Sequence, residues 1–208
     1  MAHKRGNVIY YRFLKYGIVR PLFFTYFRGQ LYGEENLPHT SRVIIASNHA
    51  SYLDIPLLGC VMREPVAFMA KEELFEHPVS RRIMNWGGGF PVDRESPKPS
   101  TMRSALKILD LGWSVGVFLG GTRTPDERIY DPKLGMALIA AKAQVPILPV
   151  CLWGTRAILE CSRFPQPTPI TVRVAPPLDP PPKGDREAMK TVTAKCAETI
   201  NSLHELGR

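Results

Sequence analysis

No stretch of this 208-residue chain approaches the ~20 apolar residues that a helix needs to cross a bilayer. Near the N-terminus the longest uncharged run, from Val8 to Tyr11 or Pro21 to Phe27, falls far short of that. The same segment is studded with charge and has no small-residue cleavage site, so a cleavable secretory signal is not expected. The four cysteines, Cys60, Cys151, Cys161 and Cys196, show no short paired spacing. That pattern argues against a zinc site or a disulfide framework and predicts buried, reduced thiols on a cytosolic aqueous face. His3, His39, His77 and His204 offer no ligand spacing such as H-E-x-x-H to join a fifth histidine, His49, so no metal site is predicted. There is no internal repeat. Acidic residues are short as well: 19 Asp and Glu face 27 Lys and Arg, a net charge of +8 with a pI near 9.5. Such a surface attracts phosphates on nucleic acid, anionic lipid or a small substrate. Nucleic acid is disfavoured because the basic residues form no single run.

The length fits one domain with one substantial core, preceded by a segment of different composition. Residues 1–32 read as a basic, aromatic stretch, and residues 33–208 as the globular domain. At helical spacing Lys4, Arg5, Arg12, Lys15 and Arg20 occupy an arc of roughly 160°, with most large apolar side chains elsewhere on the wheel. This is the composition of an amphipathic helix lying in a membrane interface, which Pro21 would kink or split. Packing of the same helix against the core remains the alternative.

Downstream, helix and strand signals alternate. Arg42–Ser47 reads as a buried strand, Asp54–Val61 as a helix, and Pro65–Ala70 as a second strand ending at Lys71. Glu72–Asn85 reads as a helix interrupted at Pro78. Ser100 can cap a helix with apolar positions Met102, Ala105, Leu106 and Leu109. Val115–Leu119 is a third strand, Leu134–Lys142 a helix, and Val145–Val150 a fourth strand. Pro146 and Pro149 suggest a strand start or an edge there rather than a regular central ladder. Ile170–Val174 is a fifth strand, and Met189, Val192, Cys196, Ile200 and Leu203 line one face of a closing helix. The order predicts a single α/β domain with a mixed, largely parallel sheet flanked by helices. In such sheets ligands gather beyond the carboxyl ends of the strands, where His49, Lys71, Arg94 and Arg123 follow or adjoin predicted strands.

Chemistry concentrates in Ser47-Asn48-His49-Ala50-Ser51-Tyr52-Leu53-Asp54, between two apolar runs. A carboxylate bonded to one imidazole nitrogen fixes the tautomer and leaves the other nitrogen free to take a proton. Five residues on a regular helix rotate side chains by roughly 140°. His49 and Asp54 can therefore meet only if His49 precedes the helix and the chain folds back, with Ser51 as a candidate N-cap. A surface histidine beside a capping aspartate is the plainer alternative. Gly87-Gly88-Gly89 removes side chains where something approaches the backbone, beside Asp93-Arg94. Gly120-Gly121-Thr122-Arg123-Thr124 offers exposed amides and a planar donor fork, a combination suited to phosphate.

Gly112-Trp113-Ser114-Val115-Gly116 matches the G-x-S-x-G pattern of serine hydrolases. That serine must follow a strand and precede a helix. Here the predicted order is reversed, with Gly112 as a helix C-cap and Ser114 leading into a strand, so serine-esterase chemistry is not expected.

Four blocks in this order resemble the glycerolipid acyltransferase family, and within it the 1-acylglycerol-3-phosphate acyltransferases. They are Asn48-His49-x-x-x-x-Asp54, Gly88-Gly89-Phe90-Pro91-Val92-Asp93-Arg94, Phe118-x-x-Gly121-Thr122-Arg123 and Val145-Pro146-Ile147-Leu148-Pro149-Val150. The resemblance implies acyl transfer from a coenzyme A or acyl carrier protein thioester, as co-substrate, to the free hydroxyl of lysophosphatidate. His49 would then be the general base and Asp54 its orienting partner, with no acyl-enzyme, bound cofactor or metal. Lys71, Arg94, Gly121, Thr122 and Arg123 would hold the acceptor phosphate. Asn48, Ser51, Gly88, Gly89 and Phe90 would line the acyl or acceptor path. The implied partners are an anionic lipid and a membrane surface, with the catalytic domain peripheral or monotopic on the cytoplasmic face. Another lyso-lipid acceptor, or lipid binding without catalysis, are the alternatives. The chain departs from the family pattern at Leu119-Gly120, where proline and glutamate are usual. That glutamate is associated with the acceptor site, so the sequence predicts a less constrained Arg123 and a gain in activity for Gly120→Glu.

Overall fold

A computed structural model describes residues 5–39, 42–78, 80–82, 89–92, 99–158 and 165–208. One seven-stranded sheet organises them, with β1 (Gln30–Tyr32), β2 (Ile44–Ser47), β3 (Val66–Lys71), β4 (Gly89–Val92), β5 (Ser114–Phe118), β6 (Ile147–Trp153) and β7 (Thr171–Val174). The spatial order is β1-β7-β6-β2-β5-β3-β4. Only the β6–β7 pair is antiparallel; the others run parallel. This is the single α/β domain with a largely parallel sheet that the alternation of elements predicts.

The sheet is covered on both faces, so its central strands are apolar throughout. Ile44 and Ala46 of β2 face one core with Leu109, Trp113 and Ile200, whereas Ile45 faces the other with Phe23, Leu58 and Ile158. Helices α1 (Arg5–Leu14), α2 (Asp54–Val61), α3 (Pro99–Asp110), α4 (Gly135–Ala143) and α5 (Arg186–Glu205) supply much of the cover. Asp185 starts α5 by accepting the Ala188 amide at 2.9 Å, a regular N-cap.

Several sequence expectations shift. Pro149 lies inside β6, which is flanked by β2 and β7 and is no edge. The strand tolerates it because Pro149 sits level with the end of β7, where its carbonyl still accepts the Ala175 amide at 3.0 Å. The missing N–H therefore falls where the partner strand stops. Ser100 lies within the first turn of α3 rather than capping it, since that helix already starts at Pro99, a residue suited to a first turn. Glu72–Phe75 forms only a short 3-10 turn, and part of the expected Glu72–Asn85 helix lies outside the described residues. Two strands had no clear signal: β1 is three residues long, and β4 opens on the glycine run.

Pro21 does not split the N-terminal helix. Its φ of −57° and ψ of −47° are helical, and wide turns over Lys15–Val19 and Leu22–Tyr26 flank it. A π-type turn shifts the hydrogen-bond partner by one residue, so the chain absorbs the missing N–H without breaking. Lys15 also departs from the expected solvent arc. It is 4% exposed, its ammonium capping the end of α2 by donating to the Met62 and Arg63 carbonyls. Burial pushes its pKa down from 10.5 to about 8. Tyr11, one turn earlier, donates to Gly59 O at 3.2 Å and accepts the Val66 amide at 3.3 Å. The segment thus clamps one side onto the domain and leaves Ile9, Phe13 and Tyr16 exposed on another. Among the described residues no helix is long and apolar enough to cross a membrane.

Candidate active site

The site forms where β2 ends in the middle of the sheet. The chain leaves β2 for β3 on one flank and later crosses from β5 to β6 on the other, so a crevice opens at the carboxyl end of β2. Ser47 pairs with Phe118 on one side and Val150 on the other, which brings the ends of β2 and β5 level while β6 runs on to Trp153. Leu119 N–H donates to Ser47 O at 2.9 Å, fixing the start of the Gly120–Thr124 loop beside the turn that carries His49.

His49 lies before α2 and the chain folds back, as the pairing requires. Its Nδ1 is 2.7 Å from Asp54 Oδ2. The same oxygen accepts the backbone amides of Ala50 at 2.7 Å and Ser51 at 2.8 Å. One carboxylate oxygen therefore builds the turn and orients the imidazole together, and Asp54 is completely buried. Its position in the first turn of α2 also suits a negative charge. Ser51 is not the N-cap: Leu53 occupies that position, and Ser51 Oγ accepts the Leu53 amide at 3.3 Å. The turn is closed by Asp54 instead. His49 is 8% exposed and stacks on Phe118, with ring centroids 3.8 Å apart and planes 10° from parallel. Phe68 lies 6.0 Å beyond, fitting over Gly116, where a Cβ would come within 2.2 Å of its ring.

Asn48 braces the histidine from below. Its Nδ2 donates to Glu127 O and Leu152 O, both at 2.7 Å, and its Oδ1 accepts the Leu152 amide at 2.8 Å. From the other side Thr124 N–H donates to His49 O at 2.9 Å. Arg123, one residue earlier, lays its guanidinium over the Tyr52 ring at 3.8 Å. Gly121 takes φ +75° and its amide closes the turn onto Phe118 O at 3.0 Å. Thr122 and Arg123 are exposed. Gly89 and Phe90 form the start of β4 beside β3. Lys71 ends β3. Gly88 and Arg94 lie outside the described residues.

Glu127 had no sequence signal beyond its place four residues after Arg123. It is buried at φ +63°, a conformation costly for a residue with a Cβ. Its carboxylate accepts the Gly154 and Arg156 amides, each at 2.8 Å, and meets His204 Nε2 at 3.0 Å. Its carbonyl receives Asn48. One strained residue thereby ties α5, the end of β6 and the support of His49 together. Ser114 opens β5, where its Oγ accepts the Val43 amide at 3.4 Å. Gly112 ends the preceding helix at φ +84°, so the serine-hydrolase order is absent here. Cys60, Cys151 and Cys196 are buried free thiols, whereas Cys161 lies outside the described residues.

The family model for acyltransferases matches residues 28–153, more than half of the chain. This chain belongs to the acyltransferase family. It is 35% identical over 126 residues to the 1-acyl-sn-glycerol-3-phosphate acyltransferase of Bacillus subtilis, covering 60% of this chain and 62% of the relative. The chloroplastic enzyme of that name from Brassica napus is 32% identical over 139 residues, 65% of this chain and 40% of its own length. The chain thus spans less than two thirds of either relative. The crystal structure of the 1-acyl-sn-glycerophosphate acyltransferase from Thermotoga maritima superposes with a TM-score of 0.70 at 24% identity, covering 95% and 94% of the two chains. At that identity the likeness establishes the α/β fold. The acyltransferase match includes His49, Asp54, Phe118 and Arg123, while α5 with His204 falls beyond it.

Proposed function

We propose that this acyltransferase moves a fatty acyl group from a coenzyme A or acyl carrier protein thioester to the free hydroxyl of 1-acylglycerol 3-phosphate, giving phosphatidate. The observation that carries this reading is the 2.7 Å contact of His49 Nδ1 with a buried Asp54. With Nδ1 engaged, Nε2 is the nitrogen left to work. It takes the hydroxyl proton as the alcohol oxygen bonds to the thioester carbonyl carbon. The tetrahedral adduct collapses, the C–S bond breaks, and the departing thiolate receives that proton from Nε2. The steps balance with no bound cofactor and no acyl-enzyme. A thioester is already activated, so positioning plus one base, worth ~10²–10⁴-fold, carries the chemistry.

Lys71, Arg94 and Arg123, with the Gly121-Thr122 turn, hold the acceptor phosphate. Gly88, Gly89 and Phe90 line the acyl or acceptor path together with Ser51. Asn48, although placed with that path from sequence, acts as the brace of His49, because its amide is fully engaged. Residues 1–32 seat the domain of 33–208 at a membrane on its cytoplasmic face, as a peripheral or monotopic protein. Ile9 at 71% and Phe13 at 66% exposure supply the apolar contact, and the net charge of +8 draws the protein to anionic lipid. The Bacillus and Brassica relatives, both named 1-acyl-sn-glycerol-3-phosphate acyltransferases, support the choice of acceptor.

The test is purified protein given acyl-thioester donor and 1-acylglycerol 3-phosphate, with His49→Ala beside it. Phosphatidate should form, and His49→Ala should lose at least ~10²-fold in rate. Turnover that survives His49→Ala would overturn the mechanism. Lipid binding without turnover by the unmutated protein would make it a non-catalytic relative.

A further inference from the structure

Among the described residues no carboxylate contacts Arg123. Gly120 carries no side chain, and among the described residues the contact Arg123 makes is with an aromatic ring, not an acid. Room is not the reason. A Cβ at Gly120 would meet only Thr122 O, at 3.8 Å. What holds the guanidinium instead is Tyr52, with the Arg123 Cζ 3.8 Å from its ring centroid.

Tyr52 is delivered to that place by the catalytic turn. Asp54 Oδ2 gathers the amides of Ala50 and Ser51, and Ser51 Oγ accepts the Leu53 amide, so every neighbour of Tyr52 is fixed. The facing loop is pinned to the same turn by the Thr124 N–H to His49 O bond at 2.9 Å. Yet Tyr52 itself is 68% exposed, which packing for stability does not explain.

We infer that Tyr52 is a specificity-determining residue that sets Arg123 for a phosphate monoester on the acceptor lipid, the task a carboxylate at position 120 would otherwise perform. The chemistry differs from that of a carboxylate in one respect. A carboxylate takes up to two of the five guanidinium donors and cancels its charge. A stacked ring engages only the face, leaving the in-plane N–H groups and the full positive charge for the ligand. This combination favours a dianionic phosphate over a neutral or zwitterionic headgroup. It also makes the H-x-x-x-x-D turn serve both halves of the site, with His49 acting on the hydroxyl and Tyr52 on the phosphate.

The inference rests on the proposed placement of the acceptor phosphate at Arg123, and the experiment separates the two. A short-chain 1-acylglycerol 3-phosphate, and the matching monoacylglycerol without phosphate, are titrated into the whole protein with no acyl donor present. The variants are Arg123→Ala, Tyr52→Ala and Tyr52→Phe. Tyr52→Ala should weaken binding of the phosphate-bearing lipid about two- to five-fold, the range of an exposed cation–π contact. Tyr52→Phe should bind as the unmutated protein does, and the neutral lipid should be indifferent to all three. In turnover assays Tyr52→Ala should raise the acceptor KM by the same factor with kcat held. If Arg123→Ala binds the phosphate lipid as well as the unmutated protein, the phosphate placement falls, and the inference with it. If Arg123→Ala weakens binding and Tyr52→Ala does not, or Tyr52→Ala weakens both lipids alike, the inference alone is overturned.

Discussion

Glu127 and His204 meet at 3.0 Å across 77 positions of sequence, joining the Arg123 loop to the last helix. Asn201 pairs both its amide groups with the Ile129 backbone, and Arg128 reaches Glu205 at 3.3 Å. The loop that supports His49 is therefore held by an element outside the residues the acyltransferase family model matches. Glu127→Gln turns one accepting oxygen of a buried side chain into a donor facing a partly buried backbone N–H. The expected loss is about 1–3 kcal/mol, read by urea unfolding. His204→Ala should cost less, because Glu127 keeps its two backbone partners.

Phe118 should matter for rate more than for binding. In the proposed step the cation formed when His49 takes a proton lies on the Phe118 ring at a centroid separation of 3.8 Å, with His49 only 8% exposed. A desolvated cation–π contact is worth about 2 kcal/mol. Phe118→Leu should therefore lower kcat by about tenfold or more, with the acceptor KM little changed. A rise in KM at constant kcat would show that the ring serves the substrate instead.

Membrane seating should respond to the exposed face of α1. Phe13 is 66% exposed, so Phe13→Asp should leave thermal unfolding unchanged. Withdrawing one large apolar side chain from lipid removes about 1.5–3 kcal/mol. Binding to anionic vesicles, followed by co-sedimentation, should weaken by about tenfold or more.

Alkaline pH should destabilise the fold through its thiols. Burial pushes Cys60, Cys151 and Cys196 up from 9.0 to about 12. Between those values the unfolded chain has released protons that the folded chain keeps, so stability falls as pH rises. Each thiol contributes about 1.4 kcal/mol per pH unit in that window. Lys15 acts in the opposite sense: its folded pKa of about 8 lies below 10.5, so its contribution to stability improves as pH rises from one to the other. Cys196→Ala should flatten the fall between pH 9 and pH 11 by one thiol's share, measured by urea unfolding at each pH.

The sequence by itself determined the alternation of elements, the limits of α2, and the constraint that His49 must precede the helix to reach Asp54. These are local matters: apolar periodicity, strand ends, and the angle a helix turns in five residues. The same local reasoning put Lys15 on the basic arc of an interfacial helix, Pro149 at a strand start or a sheet edge, and Ser51 in the role of a cap. Tertiary structure moved the first two, and a local competition between Ser51 and Asp54 settled the third. Lys15 found the unpaired carbonyls at the end of a helix 47 positions away. Pro149 found the point where its partner strand stops. Asp54 closed the turn with an oxygen it also shares with His49. Glu127 and Tyr52 could not be read at all. The bond of one to His204 and the stack of the other on Arg123 join residues with no short spacing, and only the folded sheet brings them together. Where a side chain's partner lies within a turn or two, the sequence decides. Where the partner arrives from another strand end, as it does around His49, packing decides.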